Sequence, residues 1–486
     1  MRFLLGYSSK PFILALVICV TYTFSYLLKT MYVSLFHNHV KVKGNPLFQD
    51  LVIAGLNRVF EDIKYDNDRE KEINQTDDNF WGIPPELQLY SNRTVTKRRT
   101  QIQINIKRKY FLRDFRVDDV NCLELINRTR EEVKRAKSIK RARLKDADYI
   151  EMTKNCPTFI KDRGYIMHYL TKEEESFPIA YSILMYQNVE QFERLLRAIY
   201  RPQNIYCIHV DFKSRETIHN AVSGIASCFD NVFLLRTRVS VKLGGMSVLE
   251  PDLKCMNELW SRSKTWKYFI NLTGQEFPLR TNYELVKILK AYNGSNDVAA
   301  TIQKDTERCD KPRAVAPPHG IHVTRGFVHV AVNRDFVDFT LHDERAQHIL
   351  TWMNRSCYVP DEAYFSTLNH NPHFGVKGSF KGHPETSRNR RKPYIARFKN
   401  VVESEVYGWK CHGREINGLC VFGTADVRML SVRKELFAHR FHLDYQPVAY
   451  ECMEELIYNR TRDEFMGTLA FNASFYSTLG FVLGQG

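Results

Sequence analysis

Residues 177–211 read FPIAYSILMYQNVEQFERLLRAIYRPQNIYCIHVD, and their pattern decides the fold. Phe177–Met185 is a short apolar run of the kind that forms a strand buried on both faces. Gln187 and Asn188 mark a turn, and Phe192, Leu195, Leu196 and Ile199 then recur at helical spacing until Pro202 closes the helix. Ile205–Val210 is a second apolar run, ending at Asp211. Working outward, residues 215–227 fit another helix and Val232–Leu235 another strand. Strand–helix–strand–helix–strand is the order of a parallel, doubly wound α/β sheet. Such sheets bind ligands beyond the carboxyl ends of their strands, and Asp211 stands at such an end. It is either a turn-initiating acid or a carboxylate for a nucleotide ribose or base. No G-x-G-x-x-G opens a helix and no G-x-x-x-x-G-K-[ST] occurs, so dinucleotide and P-loop chemistry lack support.

Further along, Trp266–Leu272 reads as a buried strand, residues 273–281 as a loop and residues 326–332 as one more strand. Tyr358-Val359-Pro360-Asp361-Glu362 then runs into the helical stretch Ala363–Leu368. Proline and acids are ordinary at a helix start, but a carboxylate there also serves as a general base if it faces the ligand edge.

The rest of the 486 residues sets the compartment. With 44% hydrophobic residues, 25 Tyr, 31 Phe and 5 Trp, the chain is not a disordered polymer. Its net charge of +15 suits acidic partners without choosing among them. Residues 11–28 (PFILALVICVTYTFSYLL) carry no charge and just reach bilayer-spanning length. No A-x-A-like exit follows, so an uncleaved signal anchor is expected in preference to a cleaved signal peptide or a buried helix. Eight N-x-S/T triplets lie C-terminal to it, beginning at Asn74, Asn92, Asn127, Asn271, Asn293, Asn354, Asn459 and Asn472. Asn271 falls in an apolar run where a glycan is hard to fit, and the other seven are the candidate glycosylation sites. A lumenal body and a type II membrane protein follow. Cys19 lies in the anchor, and the other ten cysteines are an even number that an oxidising lumen would pair. No C-x₂-C occurs to suggest zinc. A lumenal body meets no chromatin, so nucleic acid is not an expected partner.

The run PIAYSILMYQNVEQFERLLRAIYRPQNIYCIHVD, with IASCFDNVFL, WKYFINLTGQEFPLRTN, VPDEAYFSTL and CVFGTADVRML, resembles the core-2/I-branching β-1,6-N-acetylglucosaminyltransferases over residues 120–455. The resemblance implies an α/β fold with a GT-A-like, doubly wound mixed sheet and flanking helices. It also implies a UDP-sugar donor, an O-glycan acceptor on glycoproteins, inversion at the anomeric carbon, no divalent metal or other cofactor, and residence in the Golgi membrane. Asp146-Ala147-Asp148 matches the D-x-D metal motif of other GT-A enzymes, but it precedes the sheet and reads as accidental. The expected organisation is a cytosolic tail (1–10), the anchor (11–28) that holds the lipid bilayer, a stem (29–115) and a catalytic domain (116–486).

Carried over residue by residue, the resemblance makes Glu362 the catalytic base and places Leu184 and Asp211 near the uridine. Arg440 matches one of two cations that face the diphosphate. The second position reads Asn417, which carries no charge; Arg414, Arg397 or Lys399 could stand in for it. On the acceptor side, Arg308 matches an acceptor-contacting Arg, while Ala299, Val401 and Glu403 stand where the family carries a Glu and two aromatic residues. The resemblance implies the bridges Cys122–Cys452, Cys156–Cys228, Cys207–Cys255 and Cys411–Cys420. Cys309 and Cys357 remain and form either a fifth bridge or two thiols. Transfer of GlcNAc in β-1,6 linkage to an O-glycan is the leading expectation. Transfer from UDP-glucose or UDP-xylose, and a glycan-binding pseudoenzyme, are the alternatives.

Overall fold

The computed structural model describes residues 115–302, 309, 311, 315–382, 385–386, 394–401 and 410–484, all within the second of the chain's two units, Ile83–Gly486. The anchor, the stem up to residue 114, Asn74 and Asn92 lie outside the described residues. Among the described residues no helix is long and apolar enough to cross a membrane.

Among the described residues thirteen strands form four sheets: β1 (Ile179–Met185), β2 (Ile205–Val210), β3 (Val232–Leu234), β4 (Tyr268–Thr273), β5 (Glu276–Pro278), β6 (Asp297–Val298), β7 (Thr301–Ile302), β8 (Val330–Asn333), β9 (Glu385–Thr386), β10 (Arg397–Lys399), β11 (Arg414–Ile416), β12 (Leu419–Val421) and β13 (Phe437–His439). The central sheet runs β3-β2-β1-β4-β8-β6, with β3, β2, β1 and β4 parallel and β8 antiparallel to both β4 and β6. It is a mixed sheet whose first four strands wind as the sequence predicts.

Alternation along the strands sorts the two cores. Tyr181, Ile183, Tyr206, Ile208, Ile270 and Leu272 face the helices Val189–Ile199 and Glu216–Ser227. Ala180, Cys207 and Phe269 face the helix Met246–Arg262 and the helices of residues 334–356. Because both faces are covered, the runs read as continuous apolar sequence and do not alternate with polar residues. The helix Val189–Ile199 starts where Asn188 accepts a capping bond from the Gln191 N–H at 3.1 Å, and it buries the predicted stripe Phe192, Leu195, Leu196 and Ile199.

Two expectations shift. The loop expected at 273–281 contains β5, and the strand expected at 326–332 begins only at Val330. β5 joins a three-stranded sheet, β10-β13-β5, where Glu276 pairs with His439 and His439 with Lys399. That sheet packs on the third core, where Phe277 and Phe398 meet Tyr450 on the helix Val448–Met466.

Among the described residues five disulfides close the fold. The four implied bridges form, and Cys309 pairs with Cys357 as the fifth. Cys207–Cys255 ties β2 to the helix Met246–Arg262, and Cys411–Cys420 brackets the β11–β12 hairpin.

Candidate active site

The carboxyl ends of β1, β2 and β4 form one edge. Leu184 pairs with His209 and Thr273 across the sheet, and its carbonyl accepts the Gly274 N–H at 2.8 Å. Asp211 follows β2 and is buried. Its Oδ1 accepts the Lys213 N–H at 2.8 Å and its Oδ2 the Val241 N–H at 3.3 Å. It therefore shapes two turns at the ligand edge, so the turn-forming role is realised at the place where a nucleotide contact was expected. Tyr186, half exposed just past β1, accepts from Gln275 Nε2 at 3.1 Å.

Two cations stand beside that edge. Arg440 follows β13 directly and donates from Nη2 to the Ile416 carbonyl at 2.7 Å. Burial lowers its pKa from the ordinary value; the nearby Arg414 lowers it further, and Tyr186 opposes. Arg414 lies on β11, with Nη2 3.4 Å from His442 Nδ1 and 3.8 Å from Asp444, and its guanidinium lies 4.6 Å from the Tyr445 ring centroid. The other ring nitrogen of His442 lies 3.1 Å from Gln275 Nε2. Tyr186, Gln275, His442, Arg414 and Arg440 thus form one contiguous group at the sheet edge.

Asn417 has a structural explanation. Ile416 and Leu419 pair across β11–β12, leaving Asn417-Gly418 as a two-residue turn with φ of 54° and 71°. Positive φ at both positions is the hairpin geometry that Asn-Gly favours. The residue answers to the turn, and the cation of this hairpin sits three positions earlier, at Arg414.

Glu362 ends the 3₁₀ turn Pro360–Glu362, immediately before the helix Tyr364–Asn369. Its carbonyl accepts the Gly326 N–H at 2.6 Å, and its Oε2 lies 3.2 Å from Arg325 Nε and 3.1 Å from Nη2. The side chain is 31% exposed, so the carboxylate is reachable. Asp361 beside it is buried. The Cys309–Cys357 bridge fastens Cys309 to the chain five residues before Glu362.

A buried cluster adjoins Glu362 through Lys399 and Arg440 through His439. Glu276 is fully buried, with Oε2 2.9 Å from Arg397 Nε and Oε1 3.1 Å from both His329 Nε2 and His439 Nδ1. Burial alone would raise its pKa, but Arg397 and the two histidines hold it well below the carboxylate range. Burial pushes His329 down to about 3 and Lys399 down to about 8. Lys399 feels the charges of Glu276, Glu362 and Asp361, and its ammonium lies 4.4 Å from the Phe327 ring centroid. Glu276, His329 and His439 have the atoms to ligate a metal. Arg397 already neutralises the carboxylate and Lys399 adds a second cation, so this donor set fits an ion-paired anchor better than a dication.

Other expectations resolve one by one. Arg397 is fully buried against Glu276 and is corrected as a candidate for the diphosphate. Arg308 and Glu403 lie outside the described residues. Asp146 and Asp148 start a helix, with Asp146 accepting from Thr217 at 2.8 Å and Asp148 from the Lys145 N–H at 2.7 Å. Asn127, Asn293, Asn354 and Asn472 are exposed. Asn459 is a correction: it is buried, and the Nδ2 that would carry a glycan donates to the Phe115 carbonyl at 2.8 Å. Asn271 is likewise buried, with Nδ2 2.8 Å from Asp252. Arg325, His442 and Gln275 escaped the sequence reading, because each joins the site only through tertiary contacts; Gln275 alone carried a hint, lying just past a strand end.

Residues 179–389 match the family model described as Core-2/I-Branching enzyme. The chain is 36% identical over 366 residues to the human β-1,3-galactosyl-O-glycosyl-glycoprotein β-1,6-N-acetylglucosaminyltransferase, covering 69% of this chain and 84% of that one. It is 34% identical over 344 residues to the human N-acetyllactosaminide β-1,6-N-acetylglucosaminyl-transferase, covering 66% and 82%. A crystal structure of the galactosyltransferase LgtC with donor and acceptor sugar analogues aligns at a TM-score of 0.29 and 11% identity, over 62% of this chain and 99% of that one; so low a score carries no argument. On the extent and identity of the curated relatives, the chain belongs to the core-2/I-branching enzyme family.

Proposed function

We propose that this enzyme transfers N-acetylglucosamine from UDP-GlcNAc in β-1,6 linkage to an O-glycan on glycoproteins, with inversion and without a divalent metal. In this reading Glu362 takes the proton of the acceptor 6-hydroxyl as that oxygen attacks the sugar C1 from the face opposite UDP. The C1–O bond to the diphosphate breaks as the glycosidic bond forms, and the electron pair leaves on UDP. Arg440 and Arg414 offset the charge that grows there, so the fixed guanidinium groups do what a metal does in other transferases. Leu184 and the Asp211 turn border the uridine.

The observation that carries the reading is the pairing of a reachable carboxylate at Glu362 with two guanidinium groups at the strand ends, joined through the small sheet's Lys399–His439–Glu276 row. Golgi residence through the segment 11–28, with the body in the lumen, belongs to the same proposal. The departures at Asn417, Ala299 and Val401 leave a specific alternative, the same reaction from UDP-glucose or UDP-xylose. The test is transfer by the lumenal body, in EDTA, from a panel of UDP-sugars to a core-1 disaccharide, beside Glu362→Gln. Transfer from UDP-GlcNAc that survives EDTA and falls by about 10²–10⁴ in the variant is expected. Loss of transfer in EDTA, or a fully active variant, overturns it; preference for another UDP-sugar selects the alternative, and no UDP binding at all selects a pseudoenzyme.

A further inference from the structure

We infer that Arg325 is a positioning residue for the base, holding the Glu362 carboxylate in the rotamer that meets the acceptor hydroxyl. The inference rests on the reading of Glu362 as base. Nε of Arg325 donates to Oε2 at 3.2 Å and Nη2 lies 3.1 Å from the same oxygen, so a charge-assisted hydrogen bond and a second ion contact hold it.

The backbone under the pair is clamped on both sides. The Thr301 N–H donates to the Arg325 carbonyl at 2.7 Å and the Arg325 N–H to the Thr301 carbonyl at 3.2 Å. Thr324 Oγ1 lies 3.2 Å from Ser366 Oγ, and the Gly326 N–H reaches Glu362's own carbonyl at 2.6 Å. A Cβ on Gly326 would come within 1.9 Å of the Ala299 carbonyl oxygen and 2.8 Å of Ser366 Cβ, so the strap passes where no side chain fits. The spacing between the Arg325 and Glu362 main chains is thereby set, and the guanidinium fixes what the backbone cannot, the carboxylate's side-chain torsions.

Exposure separates this role from a structural one. The two side chains are 36% and 31% exposed, and an ion pair this open contributes little to folding stability. A carboxylate misplaced by about 1 Å, in contrast, costs about 10²-fold in rate.

The experiment compares wild type, Arg325→Ala, Arg325→Lys and Glu362→Gln with UDP-GlcNAc and a core-1 disaccharide, together with their melting temperatures. Arg325→Ala should lose about 10- to 100-fold in kcat, with the UDP-GlcNAc KM within about twofold and the melting temperature within about 2 °C. Arg325→Lys should recover most of the rate. Guanidinium ion, at a concentration too low to denature, should restore Arg325→Ala in part and Glu362→Gln not at all. An Arg325→Ala rate within twofold of wild type overturns the inference. So do equal losses in both Arg325 variants with no response to guanidinium, which assign the residue to the fold. A fully active Glu362→Gln removes the base reading instead, and the two failures are told apart by that variant.

Discussion

Removing the two guanidinium groups at the sheet edge should weaken UDP binding unequally, and the structure sets the ratio. Arg440 is half-buried and held by the Ile416 carbonyl, whereas the Arg414 side chain is 41% exposed. A charge-assisted hydrogen bond contributes about 1.5–3 kcal/mol when its surroundings are partly desolvated, and about 1 kcal/mol or less for the more exposed Arg414. Arg440→Ala should therefore raise the UDP Kd about 10- to 100-fold and Arg414→Ala about fivefold. The loss in kcat should exceed the loss in affinity, since charge on the leaving group is larger in the transition state. Asn417→Arg should not compensate for Arg414→Ala, because an arginine at φ 54° costs about 1 kcal/mol and strains the turn that aligns β11. Calorimetric titration with UDP at two salt concentrations, alongside initial rates, measures each term. An Arg414→Ala protein with wild-type UDP affinity and salt dependence would refute the role of that guanidinium, and rescue by Asn417→Arg would refute the account of the turn.

Two further outcomes concern stability. Burial pushes His209, His329 and His370 down to about 4, 3 and 4, and pushes Asp252 and Asp297 up to about 7. Between about pH 4 and 6.5, unfolding takes up protons at these histidines and at His439 and His442, also lowered by burial, and releases them from these carboxyls and from Asp426 and Glu464, also raised; five uptakes against four releases leave stability rising with pH. From about 6.5 to 7 only the carboxyl release remains and stability falls, which places a melting-temperature maximum near pH 6.5; a steady rise from pH 6 to 8 in a thermal scan contradicts this. Glu454, buried on the helix Val448–Met466, accepts from Arg194 Nε and from Arg197 Nη2 at 3.0 Å each. Glu454→Gln should cost about 3–5 kcal/mol in a denaturant titration, because two guanidinium groups lose their counter-charge, and a loss below about 1 kcal/mol would show that water replaces it.

The parallel half of the fold was legible because β1, β2, β3 and β4 are local units, each an apolar run followed or preceded by its own helix. The sheet β10-β13-β5 was not, because its strands are three residues long and join positions about 40 residues apart on one side and about 160 on the other. Glu276-Phe277-Pro278 reads as a loop until β13 lies beside it. The place of Glu362 at a helix start was legible through the block VPDEAYFSTL, whereas Arg325 belongs to no local pattern and meets Glu362 only through the strap at Gly326. Asn417 was noticed as a missing charge, though the Asn-Gly pair beside β-forming residues was itself a hairpin signal. Arg397 looked available as a cation because burial is not visible in sequence. The fifth disulfide was one of two readings left for Cys309 and Cys357 once the resemblance had implied the other four bridges.

The hairpin carries one more consequence, and it concerns redox. Arg414 pairs with Val421 and Glu415 with Cys420, so the side of the ribbon on which the guanidinium emerges depends on register. A slip of one residue would turn Arg414 to the opposite side. The Cys411–Cys420 bond closes the ribbon around that register. Reduction would therefore release the lock on the side from which Arg414 emerges, and in the same step it would cut the Cys207–Cys255 tie between β2 and its helix.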